Sequence, residues 1–215
     1  MAAIDIELPG CCVVEAGPVA DRPLHPEEAS AVARAIPKRR RQFASGRYFA
    51  RRALHRLAGV SPPIPRGDRG RPVWPRGFIG SISHSEALAA AAVSTGPLRG
   101  IGIDVEDAQR FARSNPRLHG KLFTPAERSR TLSRPVEAAV TFSAKEAAYK
   151  AVNPLVGRYI GFREVTVEID WDGLAFRVRY VGEHEPNRLL DRGYGRFCCL
   201  DGQVVTLFFI DQARD

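Results

Sequence analysis

Three short stretches of this 215-residue chain hold side chains capable of chemistry at short, regular intervals. In GIGIDVE, residues 100–106, Asp104 and Glu106 stand two apart among Ile101, Ile103 and Val105. Residues i and i+2 of a strand project to one side, so both carboxylates would share a face while the branched apolar side chains pack on the other. Like charges held that close repel and raise each other's pKa unless a cation intervenes. The pair therefore asks for a metal ion or an arginine, or else for an edge position with both acids in water.

In FSAKEAAYK, residues 142–150, Ser143, Glu146 and Lys150 are three and four apart and fall on one helical face, opposite Val140, Ala144, Ala147, Ala148 and Ala151. Alone, Glu146 and Lys150 would amount to a weak ion pair on a solvated surface. Taken with Asp104 and Glu106, Glu146 makes three carboxylates, which with water are an oxygen-rich set suited to Mg²⁺, or to Mn²⁺ in its place. Such hard cations keep several waters and favour phosphate-bearing ligands. GSISHS, residues 80–85, ends a strand-like run with Ser83 and His84, whose hydroxyl and ring N–H could receive a phosphate.

Basic residues supply the complement. KRRRQFASGR carries Arg39, Arg40, Arg41 and Arg47. Arg47 lies four residues after Phe43 and three before Ala50, so its guanidinium should emerge at the edge of an apolar stripe. Arg66 sits in the turn-rich PRGDRGRP, a setting in which guanidiniums can converge on a phosphate.

The elements that would position these residues follow from periodicity and punctuation. A strand is predicted over 11–16, a helix over 27–36 interrupted at Pro37, and a second, basic amphipathic helix from Lys38 to a stop at Gly59. The Pro- and Gly-dense segment 61–77 reads as a chain of turns packed down by Trp74. Strands over 78–83, 87–94 and 100–106 are close enough for a meander. FTPAER starts a helix, with Thr124 as cap, Pro125 first and Glu127 closing a capping box. A long helix over 134–152 should end near Asn153-Pro154. Two hairpins, 164–180 and 195–210, turn at Asp-Gly. This order predicts an α+β fold of two comparable lobes meeting near residue 100, with the acids at the seam.

Composition narrows the class. The net charge of +8 predicts an acidic partner without separating nucleic acid, phosphorylated small molecule and acidic protein. An arginine-rich helix with Phe43, Tyr48 and Phe49 loosely suits a Mg²⁺-dependent nuclease, but those sites place the lysine two residues after an acid, whereas Glu146 and Lys150 are four apart. Only four lysines stand beside 28 arginines, and two of the four are Lys145 and Lys150. The cysteine pairs Cys11-Cys12 and Cys198-Cys199 lack metal-site spacing and read as small core residues of a reduced, cytoplasmic protein. Neither a basic, apolar leader nor a membrane-length apolar run is present, so neither export nor membrane association is expected.

GIGIDVE followed downstream by FSAKEAAYK resembles the paired signature of the 4′-phosphopantetheinyl transferase superfamily, in its large two-lobed form typified by surfactin- and enterobactin-activating enzymes. GRPVWPRGFIGSISHS upstream is similar to that family's approach to the substrate pocket, and the likeness runs from about Pro37 to Gly161. The resemblance implies a pseudo-dimeric α+β fold, each lobe a small antiparallel sheet packed with a long helix. Residues 1–100 would form the lobe that binds coenzyme A phosphates, and 101–215 the lobe with the metal site and catalytic helix.

It also implies transfer of 4′-phosphopantetheine from coenzyme A to a serine of an acyl or peptidyl carrier protein of fatty-acid, polyketide or nonribosomal-peptide synthesis, by a monomer that binds neither nucleic acid nor membrane. Asp104, Glu106 and Glu146 fall on the metal-binding acids. Lys150 falls on the catalytic lysine, Ser83 and His84 on residues touching coenzyme A phosphates, and Lys145 on a neighbouring contact. Arg39, Arg47 and Arg66 match basic positions around the 3′-phosphate and pyrophosphate. Asp104 and Lys150 would meet the cofactor as well as the reacting groups, and the base for the serine would be Glu146, His84 or a water.

Overall fold

The computed structural model describes residues 6–113, 115–182 and 189–212. The first strand, β1 (Cys12–Pro18), is followed by one helical turn, α1 (Pro26–Ala29), and a long helix, α2 (Pro37–Ala58). Pro37 opens α2, where its missing N–H is no loss, and Gly59 ends it in the left-handed conformation at φ 72. The helix expected over 27–36 stops at Val32, as α1 followed by a 3-10 turn over Ser30–Val32, because Ile36 before Pro37 is held extended and Glu28 is drawn into the core by Arg51 and the Ile64 amide. Strands β2 (Ile79–His84), β3 (Leu88–Ser94) and β4 (Leu98–Asp107) follow, then short helices α3 (Ala108–Ala112), α4 (Pro116–Leu122) and α5 (Pro125–Thr131). The predicted capping box of α5 is present, with the Thr124 amide donating to Glu127 Oε2 at 2.8 Å. The second long helix, α6 (Pro135–Val156), precedes β5 (Val165–Asp170), β6 (Ala175–Tyr180), β7 (Gly193–Leu200) and β8 (Gln203–Asp211). The helix runs two residues past Pro154 and so beyond the end expected near Asn153-Pro154: in the last turn the proline removes only one backbone bond, and the helix stops at Gly157, φ 68.

The strands form two antiparallel sheets, β1-β3-β2 and β4-β8-β7-β6-β5. One face of the first sheet, through Ala89, Ala91 and Val93, packs on Phe49, Ala50, Ala53 and Leu54 of α2. Its other face, at Ala90 and Ala92, meets Ile101, Ile103 and Val105 of β4 and Val205, Leu207 and Phe209 of β8. The remaining face of the second sheet, including Val204, Phe208 and Ile210, packs on α6. The layers thus run helix, sheet, sheet, helix, an α+β arrangement in which each sheet carries one long helix. Cys12 and Cys198 are buried between the sheets, as expected of small core residues, whereas Cys199 is exposed.

The expected meander over 78–106 does not form. β2 and β3 pair as a hairpin, but β4 leaves them and pairs with β8, Asp104 opposite Thr206. The cause is the two-sided character of β4. Its odd residues fill the layer between the sheets, while its even row, Gly100, Gly102, Asp104 and Glu106, has to meet α6.

That meeting is a zipper. A Cβ on Gly100 would lie 2.5 Å from the Ala151 carbonyl oxygen, and one on Gly102 only 1.8 Å from that of Ala147. One step further, Asp104 accepts a hydrogen bond from Ser143. Two residues of strand advance roughly 6.6 Å and four of helix roughly 6 Å, so the pairs 100/151, 102/147 and 104/143 stay in step. The two glycines bring the helix backbone onto the strand and thereby set Ser143, Glu146 and Lys150 beside the acids.

Candidate active site

Asp104 is 4% exposed and stands where the edge strand of one sheet, β4, passes the edge strand of the other, β2. Its Oδ1 accepts from Ser83 Oγ at 2.8 Å and from Lys150 Nζ at 2.7 Å, and its Oδ2 from Ser143 Oγ at 2.9 Å. The Lys150 ammonium spends its other two donors on Ser83 Oγ at 3.0 Å and on the Ile103 carbonyl at 3.1 Å. One carboxylate therefore ties together β2, β4 and α6. The Ser143–Glu146–Lys150 face of α6 is not a solvated one, for Ser143 is fully buried and Glu146 and Lys150 only partly exposed.

Glu106, half-buried beyond Asp104, pairs with Arg110 of α3 at 3.0 Å. Burial, then the charge of Asp104, pushes its carboxyl up to about 7, with Arg110 and Lys150 acting in the opposite sense. Burial and the same charge also raise Glu146. Among the described residues, no three His, Cys, Asp or Glu side chains converge closely enough to hold a metal ion. Lys150 pairs with Asp104 and Arg110 with Glu106. The chemistry of the set nonetheless suits a hard cation: three carboxylates on two packed elements, Glu106 and Glu146 each feeling the charge of Asp104, with the Ser83 and Ser143 hydroxyls beside it.

A cationic rim adjoins the acids. His84 Nε2 accepts from Arg39 Nη1 at 2.6 Å, which makes Nδ1 the protonated nitrogen of a neutral ring. Burial, then the charges of Arg39 and Lys150, depresses the His84 pKa. Arg39 itself is exposed, on the first turn of α2, whose N-terminal dipole adds to the positive field.

Of two buried predicted ligands, one points elsewhere. Lys145 is 2% exposed, and its three donors go to Glu127 Oε2 at 2.6 Å, the Phe162 carbonyl at 2.7 Å and the Leu122 carbonyl at 3.2 Å. With every donor spent in the core, it braces the end of α4, α5 and the turn before β5 against α6 instead of meeting a cofactor. Arg47, 5% exposed, donates from Nε to the Ile64 carbonyl at 2.6 Å and stacks 4.3 Å over Phe43. Burial lowers its pKa to about 10 against the opposing pull of Glu28, so it supports the 61–77 loop from beneath. Arg66 is exposed, with its guanidinium over Gly70, where an added Cβ would lie 3.0 Å from Nη2.

The seam opens into a cleft of about 470 Å³ lined by Gly70, Arg71 and Trp74 on one side and by Gly100, Tyr149 and Lys150 on the other. Arg71, not singled out from sequence, reaches across it to Asn153 of α6. Its position between Gly70 and Pro72 was a signal equal to that of Arg66, between Pro65 and Gly67. Thr206 was also missed; it joins Ser143 at 2.8 Å and is the one hydroxyl in the β8 row Val204, Thr206, Phe208, Ile210. Among the described residues, no helix is long and apolar enough to cross a membrane.

Comparison with known proteins adds relationships to this geometry. A family model described as the 4′-phosphopantetheinyl transferase N-terminal domain matches residues 27–94, and one described as the 4′-phosphopantetheinyl transferase superfamily matches residues 100–202. The 4′-phosphopantetheinyl transferase Npt of Nocardia iowensis is 38% identical over 201 residues, covering 86% of this chain and 89% of its own. Svp of Streptomyces mobaraensis, of the same description, is 36% identical over 195 residues, covering 85% and 77%. PptT of Mycobacterium tuberculosis is 36% identical over 162 residues, covering 73% and 70%.

Proposed function

Because the chain belongs to the 4′-phosphopantetheinyl transferase superfamily, we propose how its own residues move 4′-phosphopantetheine from coenzyme A to a carrier-protein serine, leaving 3′,5′-ADP. The observation that carries the reading is the junction at Asp104, where a carboxylate, a fully bonded lysine and the Arg39–His84 rim meet at the mouth of a cleft between two sheets.

Coenzyme A brings a pyrophosphate and a 3′-phosphate, and guanidinium groups recognise such oxygens through paired, charge-assisted bonds. Arg39 and Arg66, both exposed, and Arg71, which lines the cleft, are the cations for that purpose, with Ser83 and His84 at the strand end nearest the acids. Lys145 is assigned to the scaffold, since its three donors are committed in the core, whereas Arg47 gives only its Nε to the Ile64 carbonyl and lies within the field of Arg39 and Arg66, so its terminal nitrogens remain candidates for a phosphate. Residues 1–100 would then supply the phosphate-binding lobe, and 101–215 the acids and the catalytic helix.

Asp104, Glu106 and Glu146 would hold Mg²⁺ or Mn²⁺. Such an ion, when bound, neutralises charge developing on the pyrophosphate oxygens. Glu146, raised by its buried setting, or a water it holds, accepts the proton of the attacking serine. The serine oxygen bonds to the β-phosphorus, the bond to the 3′,5′-ADP oxygen breaks, and Lys150, already aimed at this corner, donates to the departing phosphate. We read the enzyme as a cytoplasmic monomer acting on carriers of fatty-acid, polyketide, nonribosomal-peptide or siderophore synthesis, with no part for nucleic acid or membrane.

The test is direct. Incubation with coenzyme A, Mg²⁺ and an apo carrier should raise the carrier's mass by about 340 Da, the phosphopantetheine transferred in such a phosphoryl transfer. An unchanged mass with several carriers, or an undiminished gain after thorough chelation, would refute the reading. Tight, salt-sensitive binding of random DNA without coenzyme A binding would favour a nucleic-acid role instead.

A further inference from the structure

On β8 the residues facing α6 are Val204, Thr206, Phe208 and Ile210, and the three apolar ones belong to the core beneath that helix. Thr206 is fully buried among them. A valine would fill the same space, and a buried hydroxyl without a partner costs free energy, so its presence calls for a hydrogen bond worth keeping. Among the described residues, its one partner is Ser143 Oγ, at 2.8 Å.

The direction of that bond follows from counting protons. Ser143 stands 2.9 Å from Asp104 Oδ2, and an ionised carboxylate only accepts. Ser143 has one proton and gives it to Asp104; Thr206 must then give its own to Ser143. The chain runs one way, Thr206 to Ser143 to Asp104 Oδ2, while Oδ1 is held from the other side by Ser83 and Lys150. Thr206 is also the residue directly opposite Asp104 in the β4–β8 ladder, so both ends of the chain sit on one rigid strand pair. Its branched side chain is stiff at χ1, which keeps the hydroxyl aimed.

We propose that Thr206, acting through Ser143, is a positioning residue that holds the Asp104 carboxylate in the orientation needed to bind a divalent cation at the acids. The inference rests on the metal role assigned to Asp104 above. Hydrogen-bond partners behind a metal ligand fix its orientation and raise its affinity, and their loss commonly weakens metal binding by roughly 10–100-fold.

The test uses the full chain and two matched substitutions. Thr206→Val keeps shape and burial and removes the donor; Thr206→Ser keeps the donor and removes a methyl. Mn²⁺ binding is measured by the loss of the free-ion electron paramagnetic resonance signal, and the Mg²⁺ dependence of turnover at saturating coenzyme A is measured beside it. Thr206→Val should weaken Mn²⁺ binding and raise the Mg²⁺ KM by roughly 10-fold, with Tm and the coenzyme A KM near those of the parent, and Thr206→Ser should restore both. Ser143→Ala should lose at least as much, and adding Thr206→Val to it should cost nothing more, because the chain is already cut. Parental Mn²⁺ affinity in Thr206→Val, or a Thr206→Ser variant as impaired as Thr206→Val, would overturn the proposal. A parent protein that binds no Mn²⁺ at all would overturn the metal reading of the acids themselves.

Discussion

Replacing Gly102 by alanine is the sharpest perturbation of this design. The added Cβ would fall 1.8 Å from the Ala147 carbonyl oxygen, 2.8 Å from its carbonyl carbon and 3.0 Å from the Ala151 nitrogen. Carbon and oxygen need roughly 3.3 Å, so α6 has to retreat by about 1.5 Å or β4 has to buckle. All three opposing atoms are backbone, so trimming Ala147 to glycine cannot relieve the clash. Overpacking of a core commonly costs about 1–3 kcal/mol, and this contact belongs at or beyond the upper end. A loss of about 3 kcal/mol corresponds to a urea midpoint lower by about 1–3 M, followed through the fluorescence of Trp74 and Trp171. The same retreat would stretch the Ser143–Asp104 and Lys150–Asp104 bonds, now 2.9 and 2.7 Å, past hydrogen-bonding range. Turnover measured at low temperature on the folded fraction should therefore fall by about 10²-fold, the usual cost of a misplacement of this size. A Gly102→Ala protein with a midpoint near the parent's and near-parental turnover would show that the glycine zipper does not set the distance between strand and helix.

Lys150→Arg should bind coenzyme A nearly as the parent does yet lose about 10²–10⁴ in kcat, because arginine keeps the charge without a transferable proton; near-parental kcat would leave Lys150 an electrostatic clamp. Lys145→Ala strands the fully buried Glu127 carboxylate and should cost about 3–5 kcal/mol of stability, with an unchanged coenzyme A KM at a temperature where the protein is folded. A raised coenzyme A KM with parental stability would return Lys145 to the binding site. Burial, then the charges of Arg39 and Lys150, hold the His84 pKa below the ordinary imidazole value in the free protein. A phosphate placed beside the ring favours the imidazolium and raises that pKa, so coenzyme A binding should take up a proton and tighten as pH falls from about 8 to 6. Titration calorimetry in buffers of different ionisation heat should register that proton, and His84→Gln should abolish it; parental proton uptake in the variant would assign it to another group.

Much of the site is local, and local features were legible in the sequence. Period-two alternation in GIGIDVE put Asp104 and Glu106 on one strand face, helical spacing put Ser143, Glu146 and Lys150 on one helix face, and Thr124, Pro125 and Glu127 announced α5. The α+β class and the two long helices, each with its own sheet, followed from the order of such elements. What the sequence did not contain was the partner of each face. The strand β4 follows β3 closely yet pairs with β8, because burying both of its faces outweighed proximity along the chain. Lys145 and Lys150 are five residues apart on one helix, a separation of more than one turn, and only the packing of α5 and β5 against α6 sent the first into the core and left the second at Asp104. Arg47 was turned inward by the Ile64 carbonyl, and Thr206 was brought opposite Asp104 by a register that spans half the chain. Periodicity decides which way a side chain points from its own element; what it meets there is decided by which other element comes to bury it.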